Sequence, residues 1–280
     1  PGVKNKLIIG VPWVPDVEYP CPDLEQIFRA DKLAQGLFDN CFDLLDGPDA
    51  PNVDWVEMNQ EVVAVLTNVE PFNNVKEAYS EQDFLAPEYY RTNTDPKIRD
   101  SANYKFEGYI IYQLANPNVS AADYDDPTLA RIVYQVDKKN NVSKLFNWIE
   151  VQDPFDLSKR VYYPEIQVDG GDNGVRHTFS IKDDQFATGN DKRLINHKKY
   201  YYSVVAYAYN NFGNFNPLVR PVTGQQRPYL AGRGNIQIYT VIPRPIVDVA
   251  LNASYGDGVA ITRLEGAGNS VTTRSPSQHA

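Results

Sequence analysis

The sequence predicts a mainly β protein, a sandwich of antiparallel strands with long insertions, preceded by one amphipathic helix. Three observations carry that class. In Tyr200–Tyr209, Tyr200, Tyr202, Val204 and Ala206 share one face, while Tyr201, Ser203, Val205 and Tyr207 share the other. That period of two, in β-branched and aromatic residues, is what a pleated strand needs. Both faces carry apolar bulk, so the strand is central, with a second layer packed against it. The composition of 19 Tyr, 20 Pro and 17 Gly in 280 residues suits a loop-rich β chain. Finally, seven strand-like runs stand between turn signals, the pattern of a sandwich.

Taken in order, residues 1–19 carry the apolar run Leu7–Val11 and then Pro12 and Pro15. They read as the end of an upstream domain or an extended connector. Residues 20–47 form a linker helix: Pro22, Asp23 and Glu25 give a start signal, and Leu24, Ile27, Phe28, Ala34, Leu37 and Phe38 recur at helical spacing. That stripe is expected to pack on a neighbouring domain. The turn signals of Leu45–Pro51 mark a boundary, after which the sandwich is expected over 48–245. Val53–Met58 and Glu61–Leu66 are strands joined by Asn59-Gln60. Residues 69–104 are a polar insertion, read as either packed or a mobile arm, which Tyr89-Tyr90 could anchor. Phe106–Leu114 and Arg131–Val136 are strands. Residues 137–176 form a second insertion, with Trp148, Tyr162 and Tyr163. Arg176–Ile181, the Tyr200 strand and Ile236–Ile242 complete the set, and 246–280 reads as an extended, partly disordered tail rich in Gly, Ser, Asn and Thr.

Leu194, six positions before Tyr200, together with Tyr202, Val204 and Ala206, resembles the leucine, tyrosine corner and sixth strand of a fibronectin type III domain. Gly108-Tyr109-Ile110-Ile111-Tyr112 resembles the third strand of that fold. Pro48–Val53 and Glu61–Leu66 resemble its first two. The resemblance implies structural roles for Leu194, Tyr200, Tyr202, Val204 and Tyr109. The chain departs from that pattern in having Asn68 near the place of the usual tryptophan and Trp55 on the first strand. Two further stretches, Ala34–Phe42 and Arg227–Asn235, are similar to segments of large exported surface proteins of the Bacteroidota. That likeness implies an extracellular or cell-surface location, and it makes Asp100-Ser101-Ala102 similar to the O-glycosylation motif of that group, with Ser101 as acceptor.

Charge excludes some functions. The net charge is −9 and the isoelectric point about 4.9. Lysines and arginines occur only in short mixed runs, so neither a nucleic acid nor an anionic membrane is an expected partner. No apolar run approaches the roughly 20 residues of a membrane span. The chain opens at Pro1 rather than Met, without a signal-peptide pattern, which leaves room for a segment upstream. Cys21 and Cys41 flank the helix. Helix ends about 25–30 Å apart lie well beyond the ~7 Å of a disulfide, so a bridge would need a break near Gly36. Without Cys-x-x-Cys, zinc and redox motifs are absent.

For chemistry, His177 and His197 stand without a nucleophile elbow, and no carboxylate pair is singled out, so an enzyme is not expected. No resident cofactor is expected either. Calcium is the one candidate ion, at Asp123, Asp125 and Asp126 in one acidic loop and Asp169 and Asp172 in another, because hard cations want several oxygen ligands. Trp148, Tyr162, Tyr163, Tyr89 and Tyr90 are candidate contact residues for a partner protein or a sugar ring. The expected function is a non-catalytic structural or interaction module, in contact with neighbouring domains or copies of a surface assembly in protein–protein assembly or adhesion. The alternative is a carbohydrate-binding accessory module of a secreted hydrolase, with a glycan as ligand.

Overall fold

The computed structural model describes Val11 and residues 24–39, 45–153, 155, 160–218 and 223–245. The expectations for residues 1–10, Cys21, Cys41 and 246–280 lie outside those residues. The fold is mainly β, with antiparallel sheets compatible with a sandwich.

One sheet has the order β1 (Asn52–Met58), β2 (Glu61–Thr67), β8 (Thr178–Ile181). Asn59-Gln60 makes the β1–β2 turn, and Gln60 takes a φ of 54°. The larger sheet is built on β4 (Asn103–Leu114) and β9 (Tyr200–Tyr209). The short β3 (Ser80–Gln82) and β5 (Ala130–Asp137) both pair with β4, while β10 (Tyr229–Ala231) and β11 (Ile238–Val241) both pair with β9. A third, two-stranded sheet is the hairpin of β6 (Lys144–Gln152) and β7 (Arg160–Asp169).

The two larger sheets enclose one core. Val62, Ala64, Leu66, Phe179 and Ile181 come from one, and Phe106, Tyr109, Ile111, Tyr202, Val204 and Ala206 from the other. Trp55 lies on β1 and stacks on Tyr202, with ring centroids 5.0 Å apart. The seven strands β1, β2, β4, β5, β8, β9 and β11 all contribute to this core. Leu194 and Tyr200 sit where the chain enters β9; Leu194 is fully buried, and the Ile195 N–H donates to Tyr200 Oη at 2.8 Å. Cross-links join the sheet edges on both sides. Tyr134 Oη of β5 donates to Ser180 O of β8 at 2.6 Å, and the N–H of Val53 in β1 donates to Tyr239 Oη of β11 at 3.3 Å. Each bond gives one edge backbone group a partner from the facing sheet.

The 69–104 insertion is packed. It contains β3 and two short helices, α1 being the earlier long helix (Leu24–Asp39), α2 Glu88–Arg91 and α3 Pro96–Asp100. Tyr79, Asp83 and Ala86 are buried in it. Gly36 of α1 lies beside Phe84 and Leu85 of this insertion, while Ile27, Phe28 and Phe38 of the predicted apolar stripe stay exposed.

Candidate interaction surface

The β6–β7 hairpin is rooted on the outer face of the larger sheet and projects from it. At the root, Leu145 and Val168 are buried with Ile110 and Tyr207, and Val142 and Tyr229 pack beside them. The Asp169 N–H donates to Gln135 Oε1 at 3.1 Å. A register shift between Leu145 and Phe146 separates this root from the rest, and bulges of this kind bend a strand. Beyond it, Trp148 N–H donates to Gln226 O at 2.9 Å, and Gln226 Nε2 donates to Trp148 O at 2.9 Å. Asn147 Oδ1 accepts from Tyr229 N–H at 3.1 Å. Backbone contacts on this side hold β6, whereas β7 pairs with β6 alone among the described residues.

Strand geometry puts adjacent residues on opposite faces, so Tyr162 and Tyr163 point apart. In the observed register Phe146, Trp148 and Glu150 oppose Ile166, Pro164 and Tyr162, and Ile149 and Val151 oppose Tyr163 and Val161. The first face meets the loop after β9: Phe215 lies 5.2 Å from Trp148 and 5.2 Å from Tyr162, centroid to centroid, and Phe146 lies 5.8 Å from Trp148. The same loop brings Phe212 to within 5.1 Å of Tyr90, which makes an edge contact with Tyr89. The structure thus joins Trp148, Tyr162 and Tyr90 through one loop, by way of Phe212 and Phe215. In the sequence that loop reads as a polar turn, because Asn and Gly dominate it. Tyr163 lies on the opposite face of the hairpin.

Much apolar surface remains open. Ile166 is 63% exposed, Tyr163 43%, and Phe155, between the strands, 97%; Val161 and Phe146 are also exposed. Pro164 sits mid-strand in β7, at an edge where a missing N–H breaks no ladder bond.

The predicted calcium residues have other work. Asp123 Oδ2 accepts from Ser120 N–H and Oγ at 2.9 and 2.7 Å, and Asp126 Oδ1 accepts from Thr128 N–H and Oγ1 at 2.8 and 2.7 Å. The Ser120 bonds hold the Asp123 carboxyl below the usual range, as the Thr128 bonds do for Asp126. Asp125 is exposed, Asp169 pairs with Lys144 at 3.0 Å, and Asp172 bonds the turn after β5. Among the described residues no three His, Cys, Asp or Glu side chains gather as a metal site. Asp123 and Asp126 thus cap the turns they stand in.

Ser101 follows α3, half-buried, and its Oγ donates to Ile98 O at 2.6 Å. Beside it lies an open depression of about 630 Å3 lined by Gln82, Lys97, Arg99, Asp100 and Asn103. His177, in sequence a plain surface or structural residue, has its Nε2 2.7 Å from Glu77 Oε1. The same oxygen accepts from Tyr109 Oη at 3.0 Å, and Tyr109 Oη accepts from Asn68 Nδ2 at 2.6 Å. Lys76 and Glu77 both take left-handed φ values, 55° and 58°. This network ties the first insertion to β4 and to the segment entering β8.

Among the described residues no helix is long and apolar enough to cross a membrane. In comparisons with known proteins the chain matches no family model, no curated protein and no solved structure.

Proposed function

We propose that this chain is a non-catalytic interaction module of an exported bacterial surface protein, in which a fibronectin type III-like sandwich presents the β6–β7 hairpin to a protein partner in assembly or adhesion. The observation that carries the reading is the hairpin itself: Val161 and Tyr163 are neighbours on one face and project into solvent, as Ile166 does on the other, from a strand that pairs with β6 alone among the described residues. Neighbouring exposed apolar residues such as Val161 and Tyr163 mark interaction sites. Two features support the sandwich type. Counting the strands that line the shared core, β4 is third and β9 sixth, and Tyr200 accepts a backbone bond at the start of β9 as a tyrosine corner does. The hairpin then falls between the fourth and fifth strands.

The aromatic cluster favours a protein partner over a sugar. Trp148 and Phe215 are tilted by 39°, and Tyr162 and Phe215 by 71°, with all three half-buried. Their faces are turned on one another instead of forming a flat open row.

A photo-activated cross-linking residue at Tyr163, in the protein on its native cells, tests the reading. Discrete adducts from Tyr163, absent when the same residue replaces the distant exposed Asp191, are expected. Adducts at neither position, or equally at both, would overturn it.

A further inference from the structure

An acidic network at the hairpin root holds the hairpin on the larger sheet. Glu107 is the extra residue where the β4–β9 register shifts between Phe106 and Gly108. A bulge re-aims a side chain, and here Glu107 as a residue is 3% exposed. Both its oxygens accept from Asn140 Nδ2, at 2.7 and 2.9 Å. Asn140 belongs to the turn leading into β6. The N–H groups of Asn140 and Asn141 donate to Asp172 Oδ1 at 2.7 and 3.0 Å, and the Asp172 N–H donates to Asp137 Oδ2 at 2.9 Å. Asp137 is buried, and its Oδ1 has no hydrogen-bond partner. The network therefore binds both ends of the hairpin, the turn where it leaves and the loop where it returns, to β4 and β5.

The groups around Glu107 are mostly negative. Asp137 and Lys138 face it from the end of β5, Asp172 from the loop after β7, and the Tyr207 hydroxyl from β9. Tyr207 donates to Val136 O at 2.9 Å instead. Lys138 is the cation in this set, but its Nζ lies 3.3 Å from Glu77 O and 4.9 Å over the Phe106 ring.

Resting on the hairpin's role as the interaction surface, we propose that Glu107 is a proton-operated clasp: neutral, it holds the hairpin root on the sheet, and ionised, it loosens the root, so that presentation of the hairpin depends on pH. Burial, with the Asp137 and Asp172 charges added and the Asn140 bond and Lys138 opposing, pushes the carboxyl from 4.5 up to about 7. A group raised in the closed form stabilises it fully below the ordinary value, and that contribution is lost as pH rises through the raised one. Loosening thus develops between the two values and is complete just above neutrality.

Hydrogen exchange of the intact chain, corrected for the intrinsic rate at each pH, reads this at the amides of Asn140, Asn141 and Asp172. Their protection is expected to fall about thirtyfold between about pH 5.5 and about pH 8. E107Q, neutral at every pH, is expected to show no such fall, and D137N to move the midpoint to lower pH by removing a like charge. A flat wild-type profile, a fall that survives in E107Q, or a midpoint unmoved in D137N overturns the clasp. The two proposals fail separately. Missing adducts at Tyr163, read at one fixed pH, would remove the interaction surface and leave the exchange result standing, whereas a flat exchange profile would remove the clasp alone.

Discussion

Tyr200→Phe and Leu194→Ala probe the entry to β9, where one hydroxyl and one leucine fix the direction of the central strand. Tyr200 is 3% exposed, and its Oη accepts the Ile195 N–H at 2.8 Å. Removing the oxygen deletes one bond and leaves a partly buried N–H unmatched, a cost of about 1–1.5 kcal/mol. Leu194 is fully buried in the shared core. Cutting it to alanine loses transfer energy and leaves a cavity, about 3–4 kcal/mol in all. At roughly 2–4 °C per kcal/mol for a chain of this size, the expected drops in Tm are about 2–6 °C for Tyr200→Phe and about 6–16 °C for Leu194→Ala. Differential scanning calorimetry measures both, with urea unfolding to check that the slope is unchanged. Tyr201→Phe is the control: its ring is half-buried on the other face, and the expected change is within about 0.5 kcal/mol. A Tyr200→Phe effect no larger than that of Tyr201→Phe would refute the reasoning, because the corner bond would then contribute nothing.

A Cβ on Gly232 would strike the Pro48 carbonyl and crowd Ala206 O, while the Gly232 N–H donates to that oxygen at 2.8 Å, so Gly232→Ala is expected to cost about 3 kcal/mol, read as a lower urea midpoint. Tyr163→Arg with Ile166→Arg changes two exposed side chains; Tm should stay within about 1 °C while cross-linking from a neighbouring hairpin position is lost. Burial alone would raise the Asp184 carboxyl, but bonds from Lys198 Nζ, Gln113 Nε2 and the Phe186 N–H outweigh it and hold the group below 3.8. A depressed carboxylate stabilises the fold above its ordinary value and loses that effect as pH falls through the lowered one, so Asp184→Asn should cost about 1–3 kcal/mol at neutral pH and flatten the acid limb of the stability curve.

Legibility tracks burial on one face. The β9 register is plain in the sequence because its side chains pack on two layers, and β1–β2 because a two-residue turn separates two apolar runs. β3 and β10 escape a sequence reading because three residues carry no period, and each exists through pairing with a long neighbour. The links between Glu77 and His177, and between Glu107 and Asp172, join residues far apart in the chain, and the fold alone brings them together. The turn-capping of Asp123 and Asp126 is local: a short Asp side chain beside Ser or Thr closes its own turn.

The hairpin is the instructive miss. In β7, Val161 and Tyr163 point to one side and Tyr162, Pro164 and Ile166 to the other, so both faces are apolar enough to obscure an alternation. A central strand reads that way because it is covered twice. β7 has the same kind of sequence, yet Val161, Tyr163 and Ile166 stay exposed within this chain. Strands of this composition at an edge invite pairing and aggregation, and proteins blunt them with charge, proline or a cover. Pro164 blunts one position and Glu165 another, but the flanking apolar residues remain. A sequence whose local pattern asks for a layer that the described residues do not supply is consistent with one supplied by a partner. If that is the reason, adding charge at Tyr163 and Ile166 should leave the isolated chain as stable as before and more soluble; a fall in its stability instead would mean that the residues serve the fold itself.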